Sequence, residues 1–121
     1  MIYAATEDTI TSILRDELEY LGIDTQLIPS IITPVGLRKP DLLCCNGGVY
    51  PIEAKFKEKD LIKAIAKVQN DYLKHHKVIG VKGGFAVLYP KELSRKVSYF
   101  DIKGLVLKSS FKLIAKGEFR P

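Results

Sequence analysis

The chain has 121 residues and carries 19 Lys and Arg against 14 Asp and Glu, a formal charge of +5. That length predicts one domain over 1–121, large enough for a proper core and too small for two. A hydrophobic share of 46% excludes wholesale disorder, and no apolar run approaches the ~20 residues of a membrane span. The basic excess suits a polyanionic partner. It is concentrated, because the segment from Lys55 to Lys82 holds eight lysines and three acids. Glu7 and Asp8 come too early for a signal peptide. Adjacent Cys44 and Cys45 lack zinc or disulfide spacing and read as small hydrophobes on opposite faces of a strand. A reducing, cytoplasmic location is expected, with no membrane partner.

Ile10, Ile13, Leu14, Leu18 and Leu21 recur at helical spacing and predict a helix over 4–21. Thr6 or Asp8 caps its start and Gly22 ends it. Residues 26–33 read as extended, with Pro29 at a bulge or an edge. A turn over 33–36 and then Arg38-Lys39-Pro40 lead into a hairpin. Its second strand, 49–56, sets Tyr50, Ile52, Ala54 and Phe56 on one face and Val49, Pro51, Glu53 and Lys55 on the other. A second helix over 58–76 carries the stripe Leu61, Ile62, Ile65, Val68, Tyr72 and Leu73. His75-His76-Lys77 reads as its basic end. Gly80, Gly83 and Gly84 lack the spacing of a phosphate loop and read as a turn. Phe85 to Tyr89 is a buried strand, 91–95 a helical turn, and 97–101 and 104–113 extended or ambiguous. The element order implies an α/β fold, a mixed central sheet flanked by helices.

Asp41, Glu53 and Lys55 carry the chemistry. Asn46-Gly47-Gly48 between two apolar runs is a hairpin signal. With these three residues as the loop, Cys45 faces Val49 and Asp41 falls opposite Glu53. Lys55 lies two residues further along the same strand face. Two carboxylates and an ammonium then meet at one end of the hairpin, a divalent-metal site with an adjacent cation.

Pro40-Asp41, Glu53-Ala54-Lys55, an acid in the first helix, and Gln69 and Tyr72 in the next together resemble the PD-(D/E)xK nuclease superfamily. The likeness covers most of the chain and implies the restriction-endonuclease-like core. Within the superfamily the chain looks most like archaeal-type Holliday junction resolvases or small restriction and repair nuclease domains. The resemblance implies a Mg²⁺-dependent endonuclease hydrolysing DNA phosphodiesters, with Mn²⁺ as a substitute cofactor. It implies Asp41, Glu53 and the Ala54 backbone carbonyl as ligands, since hard oxygens suit a small divalent ion. Glu7 becomes the first-helix acid, a further ligand directly or through water. Glu17 and Glu19 compete for that place, and a capping or solvent role stays open to Glu7. Lys55 orients or deprotonates the attacking water and offsets charge developing on the phosphate.

Gln69 and Tyr72 stand one residue closer than is usual in such enzymes. They contact a DNA phosphate, steady the lysine, or serve as a buried tyrosine and a cap-like glutamine. Arg38, Lys39, Lys57, Lys59, Lys63 and Lys67 are expected phosphate contacts, sequence-independent and salt-sensitive. A homodimer acting on a four-way junction is the leading expectation. A nuclease of linear DNA, an RNA nuclease and a non-catalytic DNA-binding or assembly module stay open.

Overall fold

The computed structural model describes residues 2–4, 6–26, 29–45, 47–94 and 96–115. In chain order it runs β1 (Ile2–Ala4), α1 (Glu7–Tyr20), β2 (Thr25–Gln26), β3 (Ile31–Thr33), β4 (Gly36–Arg38), β5 (Leu42–Cys44) and β6 (Tyr50–Lys55). Then follow α2 (Glu58–Lys67), a π-turn (Val68–Tyr72), a 3₁₀ turn (Leu73–His75), α3 (His76–Ile79) and β7 (Gly83–Leu88). A 3₁₀ turn (Lys91–Ser94), β8 (Lys96–Ser98), α4 (Tyr99–Val106) and β9 (Ser110–Ala115) complete it.

Five strands form a mixed sheet in the order β2-β5-β6-β7-β9. β6 and β7 are parallel, and the other neighbours are antiparallel. One face packs Ile52, Ala54 and Val87 against Ile10 and Leu14 of α1 and Ile102 and Val106 of α4. The opposite face packs Ala86 and Ile114 against Ala64, Val68 and Tyr72 of the second helical segment. An α/β architecture with helices on both sides of a mixed sheet is what the element order predicts. Among the described residues no helix is long and apolar enough to cross a membrane.

Helix α1 starts where the Thr6 hydroxyl accepts the Thr9 N–H at 3.1 Å. It closes in a Schellman motif: Gly22, at φ +86, donates to Glu19 while Ile23 donates to Leu18. The helix is therefore shorter than the expected 4–21. Residues 2–4 pair with β8 instead, and Leu21 lies past the last turn, exposed.

The expected extended stretch 26–33 resolves into parts. Gln26 closes β2, residues 27–28 lie outside the described residues, and β3 pairs with β4 around the 34–35 turn. The buried Thr33 hydroxyl ties that turn, donating to the Gly36 carbonyl and accepting from Val35.

The second helix is less regular than the stripe predicts. Only 58–67 is α-helical before the π-turn, and Ile62 points to solvent. Gly84 explains how that turn approaches the sheet, because a Cβ there would collide with Val68 Cγ1 and lie 3.2 Å from the Pro51 carbonyl. Residues 99–106 form a helix rather than an extended segment. Ile102 and Val106, four apart, are both buried beside α1, so packing overrides the strand propensity of their β-branched side chains.

Candidate active site

Strand β6 brings the central residues together. Its pairing with β5 runs Leu42 to Ile52, Leu43 to Pro51 and Cys44 to Tyr50, and the regular ladder ends there, one residue short of the expected Asp41–Glu53 pair. The register of the paired residues is the one predicted from the loop, although Asn46 itself lies outside the described residues. Cys44 is buried and Cys45 exposed, both as free thiols.

At Asp41 the ladder slips by one residue. The Asp41 N–H donates to the Ile52 carbonyl at 3.0 Å, and its Oδ2 accepts the Ala54 N–H at 2.7 Å. The carboxylate thus replaces a backbone acceptor at the end of β5. In an extended strand the N–H and C=O of one residue point to the same side, so the Ala54 carbonyl opens towards Asp41.

Glu53 is only 3% exposed. Its Oε1 meets Lys67 Nζ at 3.0 Å and accepts the Tyr72 hydroxyl at 3.2 Å. Burial raises its carboxyl above the ordinary range; the hydrogen bond from Lys67 opposes this and the neighbouring Asp41 charge adds to it. The π-turn makes the shared oxygen reachable. Lys67 and Tyr72 are five residues apart, which points them to different sides of a 3.6-residue helix but aligns them across an i→i+5 turn. Tyr72 is wholly buried, and burial with the adjacent Glu53 drives its hydroxyl far up. Its hydroxyl is therefore a neutral donor, engaged with Glu53. Gln69 is half-buried.

Lys55 sits half-buried at the end of β6. Its carbonyl accepts the Tyr89 N–H at 2.8 Å, and among the described residues its ammonium has no ion-pair partner.

Glu7, the exposed first residue of α1, shares a cleft of 420 Å³ with Asp8, Thr11, Lys39, Pro40 and Asp41. The rival acids are committed elsewhere: Glu17 pairs with Lys103 and Glu19 accepts from Thr25. The carboxylates therefore surround the end of the sheet, with Glu7 on the α1 side, Glu53 on the α2 side and Asp41 between. They do not close into a cage, and no three His, Cys, Asp or Glu among the described residues are grouped to hold a metal ion.

The pair Asp41 and Glu53 nonetheless fits a divalent cation. Both offer hard oxygens, the Ala54 carbonyl opens beside them, and the buried Glu53 already holds a cationic group at 3.0 Å.

The expected phosphate contacts divide. Lys39 borders the Asp41 cleft, while Lys59 and Lys63 are exposed on α2, Lys63 lying 4.0 Å from Asp60. Lys57 lines a groove of 500 Å³ with Phe56, Tyr89, Lys91 and Lys108. Arg38 is spent on Asp71, Nε to Oδ2 at 2.8 Å, and Lys67 on Glu53.

Sequence reasoning missed Lys91 and Lys108, which are far from the motif in the chain, and the pairing of Lys67. It also missed Tyr89, whose ring packs on Phe56 at 5.2 Å. Burial pushes its hydroxyl up to about 12, with the Asp41 and Glu7 charges adding to the rise and the Thr11 hydroxyl opposing it. The only signal for it was its place at the end of a buried strand. Comparison of the chain with known protein families, curated proteins and solved structures gives no match.

Proposed function

We propose that the chain is a metal-dependent endonuclease of the PD-(D/E)xK type, with a restriction-endonuclease-like core and DNA as substrate. The observation that carries this reading is the Asp41 carboxylate held at 2.7 Å on the Ala54 N–H, between Glu53 and Lys55 on β6. Asp41 and Glu53, with the Ala54 carbonyl, would hold Mg²⁺, and Glu7 would reach it through water. Bound there, Mg²⁺ supplies Lewis-acid polarisation of the phosphate and a more acidic water.

The remaining work belongs to the chain. Among the described residues Lys55 has no ion-pair partner, so its ammonium is available to orient the attacking water and to offset charge building on the phosphate oxygens. The hydrogen bond from Ala54 fixes the Asp41 carboxylate, and Tyr72 fixes Glu53. Lys39 and the Lys57, Lys91 and Lys108 groove hold the phosphate backbone without reading bases. Structure-selective cleavage of a four-way junction by a homodimer in the cytoplasm is the specific form proposed.

A second reading has its own support. Glu53 is already satisfied by Lys67 and Tyr72, as in a non-catalytic DNA-binding module where that pair is purely structural. Labelled four-way junction, linear duplex, single-stranded DNA and RNA, each with Mg²⁺ and with EDTA, separate these readings. The proposal predicts paired Mg²⁺-dependent nicks in the junction. Cleavage of linear DNA or RNA would keep the chemistry and change the substrate, and binding without cleavage would replace the proposal with the second reading.

A further inference from the structure

Lys67 differs from the other lysines around the site. Its Nζ lies 3.0 Å from Glu53 Oε1, yet its side chain is 39% exposed while that of Glu53 is 4% exposed. The pair therefore joins a fixed, buried anion to a cation that reaches in from the surface on a flexible four-carbon stem. Tyr72 holds the same oxygen at 3.2 Å as a neutral donor, so Glu53 keeps a positioning contact if the lysine leaves. Lys55 lies closer in sequence and on the same strand face, but takes no part in this pair. The fold thus neutralises its buried carboxylate with the lysine best placed to depart.

We infer that Lys67 is a displaceable counter-ion. Its ammonium holds the Glu53 carboxylate in place before a divalent cation binds, gives up that oxygen when the cation arrives, and swings out to pair with a substrate phosphate. This rests on the reading of Asp41 and Glu53 as a metal site. The physical basis is simple: a dication at Oε1 and an ammonium at the same oxygen repel each other strongly in a partly desolvated site. The exchange is a movement of charge, not of bonds. The released ammonium stays within a side-chain length of the site, where a phosphate makes it a charge-assisted partner. Lys67 is a positioning residue in this scheme.

The test uses the whole chain and two parallel readouts. Free Mn²⁺ is followed by electron paramagnetic resonance to measure binding, while the acetylation rate of each lysine is read by mass spectrometry. In EDTA, Lys67 should label more slowly than the exposed Lys63. As Mn²⁺ saturates the protein, Lys67 labelling should rise severalfold while Lys63 stays constant. Glu53→Gln should label rapidly at Lys67 with or without Mn²⁺. Bound Mn²⁺ with Lys67 still protected would overturn the exchange and leave the metal site standing. Absence of Mn²⁺ binding would overturn both, leaving Lys67 as a structural ion-pair partner. Persistent protection in Glu53→Gln would also overturn the exchange, because Glu53 would not be its cause.

Discussion

Burying a carboxylate costs free energy unless it finds a cation and hydrogen bonds, and Glu53 finds both in Lys67 and Tyr72. Breaking a fully buried pair costs about 3–5 kcal/mol; partial exposure of Lys67 screens this one, so Lys67→Met should cost about 1–2 kcal/mol in metal-free protein. Urea unfolding in EDTA measures it, and an unchanged midpoint would mean that the pair adds nothing to stability.

The pH dependence follows from the direction of the Glu53 shift. Its folded value lies above the ordinary 4.5, chiefly through burial, so the unfolded chain loses this proton first. The stability tied to the protonated form is complete below 4.5 and is lost as pH rises through the folded value. Glu53→Gln cannot ionise. Its metal-free stability relative to the native chain should therefore improve from pH 4.5 towards neutrality, and a gap independent of pH would contradict this. Glu53 and Lys55 were legible as a site because strand alternation puts residues two apart on one face. Lys67 was legible only as a phosphate contact and not as the partner of Glu53, because twelve positions and a helix start separate it from Lys55.

At the scale of elements, the π-turn over Val68–Tyr72 decides which side chains meet Glu53. It packs on β7 at Gly84, where any Cβ would strike the Val68 side chain. Gly84→Ala should therefore destabilise the protein by about 1–3 kcal/mol, the usual cost of overpacking. Thermal denaturation checks it, and an unaltered melting temperature would show that the turn yields freely. The β5–β6 hairpin was readable because a glycine-rich loop and an alternating pattern agree on one register. The π-turn was not readable, since Val68, Tyr72 and Leu73 fit a plain helical stripe equally well. α4 was misread for a related reason: its strand-forming residues take helical form only because Ile102 and Val106 find α1.

For the whole molecule, the alternation of helices and strands foretold an α/β sheet with helices on both sides. The hairpin pattern put Asp41 and Lys55 at one end, but nothing foretold that Lys91 and Lys108 would join Lys57 in a groove there. That end is formed where the parallel strands β6 and β7 finish and β5 begins, the carboxyl edge at which open α/β sheets bind ligands. Concentrating cations there suits a phosphate backbone more than the net charge of +5 alone would suggest.

The central claim is that this edge cleaves phosphodiesters, and Lys55 tests it most cleanly because no described ion pair depends on it. The measurement is single-turnover cleavage of a labelled four-way junction in Mg²⁺ by the native chain and by Lys55→Met, with circular dichroism on both. The account predicts an unchanged fold and a rate lower by about 10² to 10⁴-fold, as for loss of a proton-transfer or charge-stabilising group. Equal cleavage by the two proteins would contradict it.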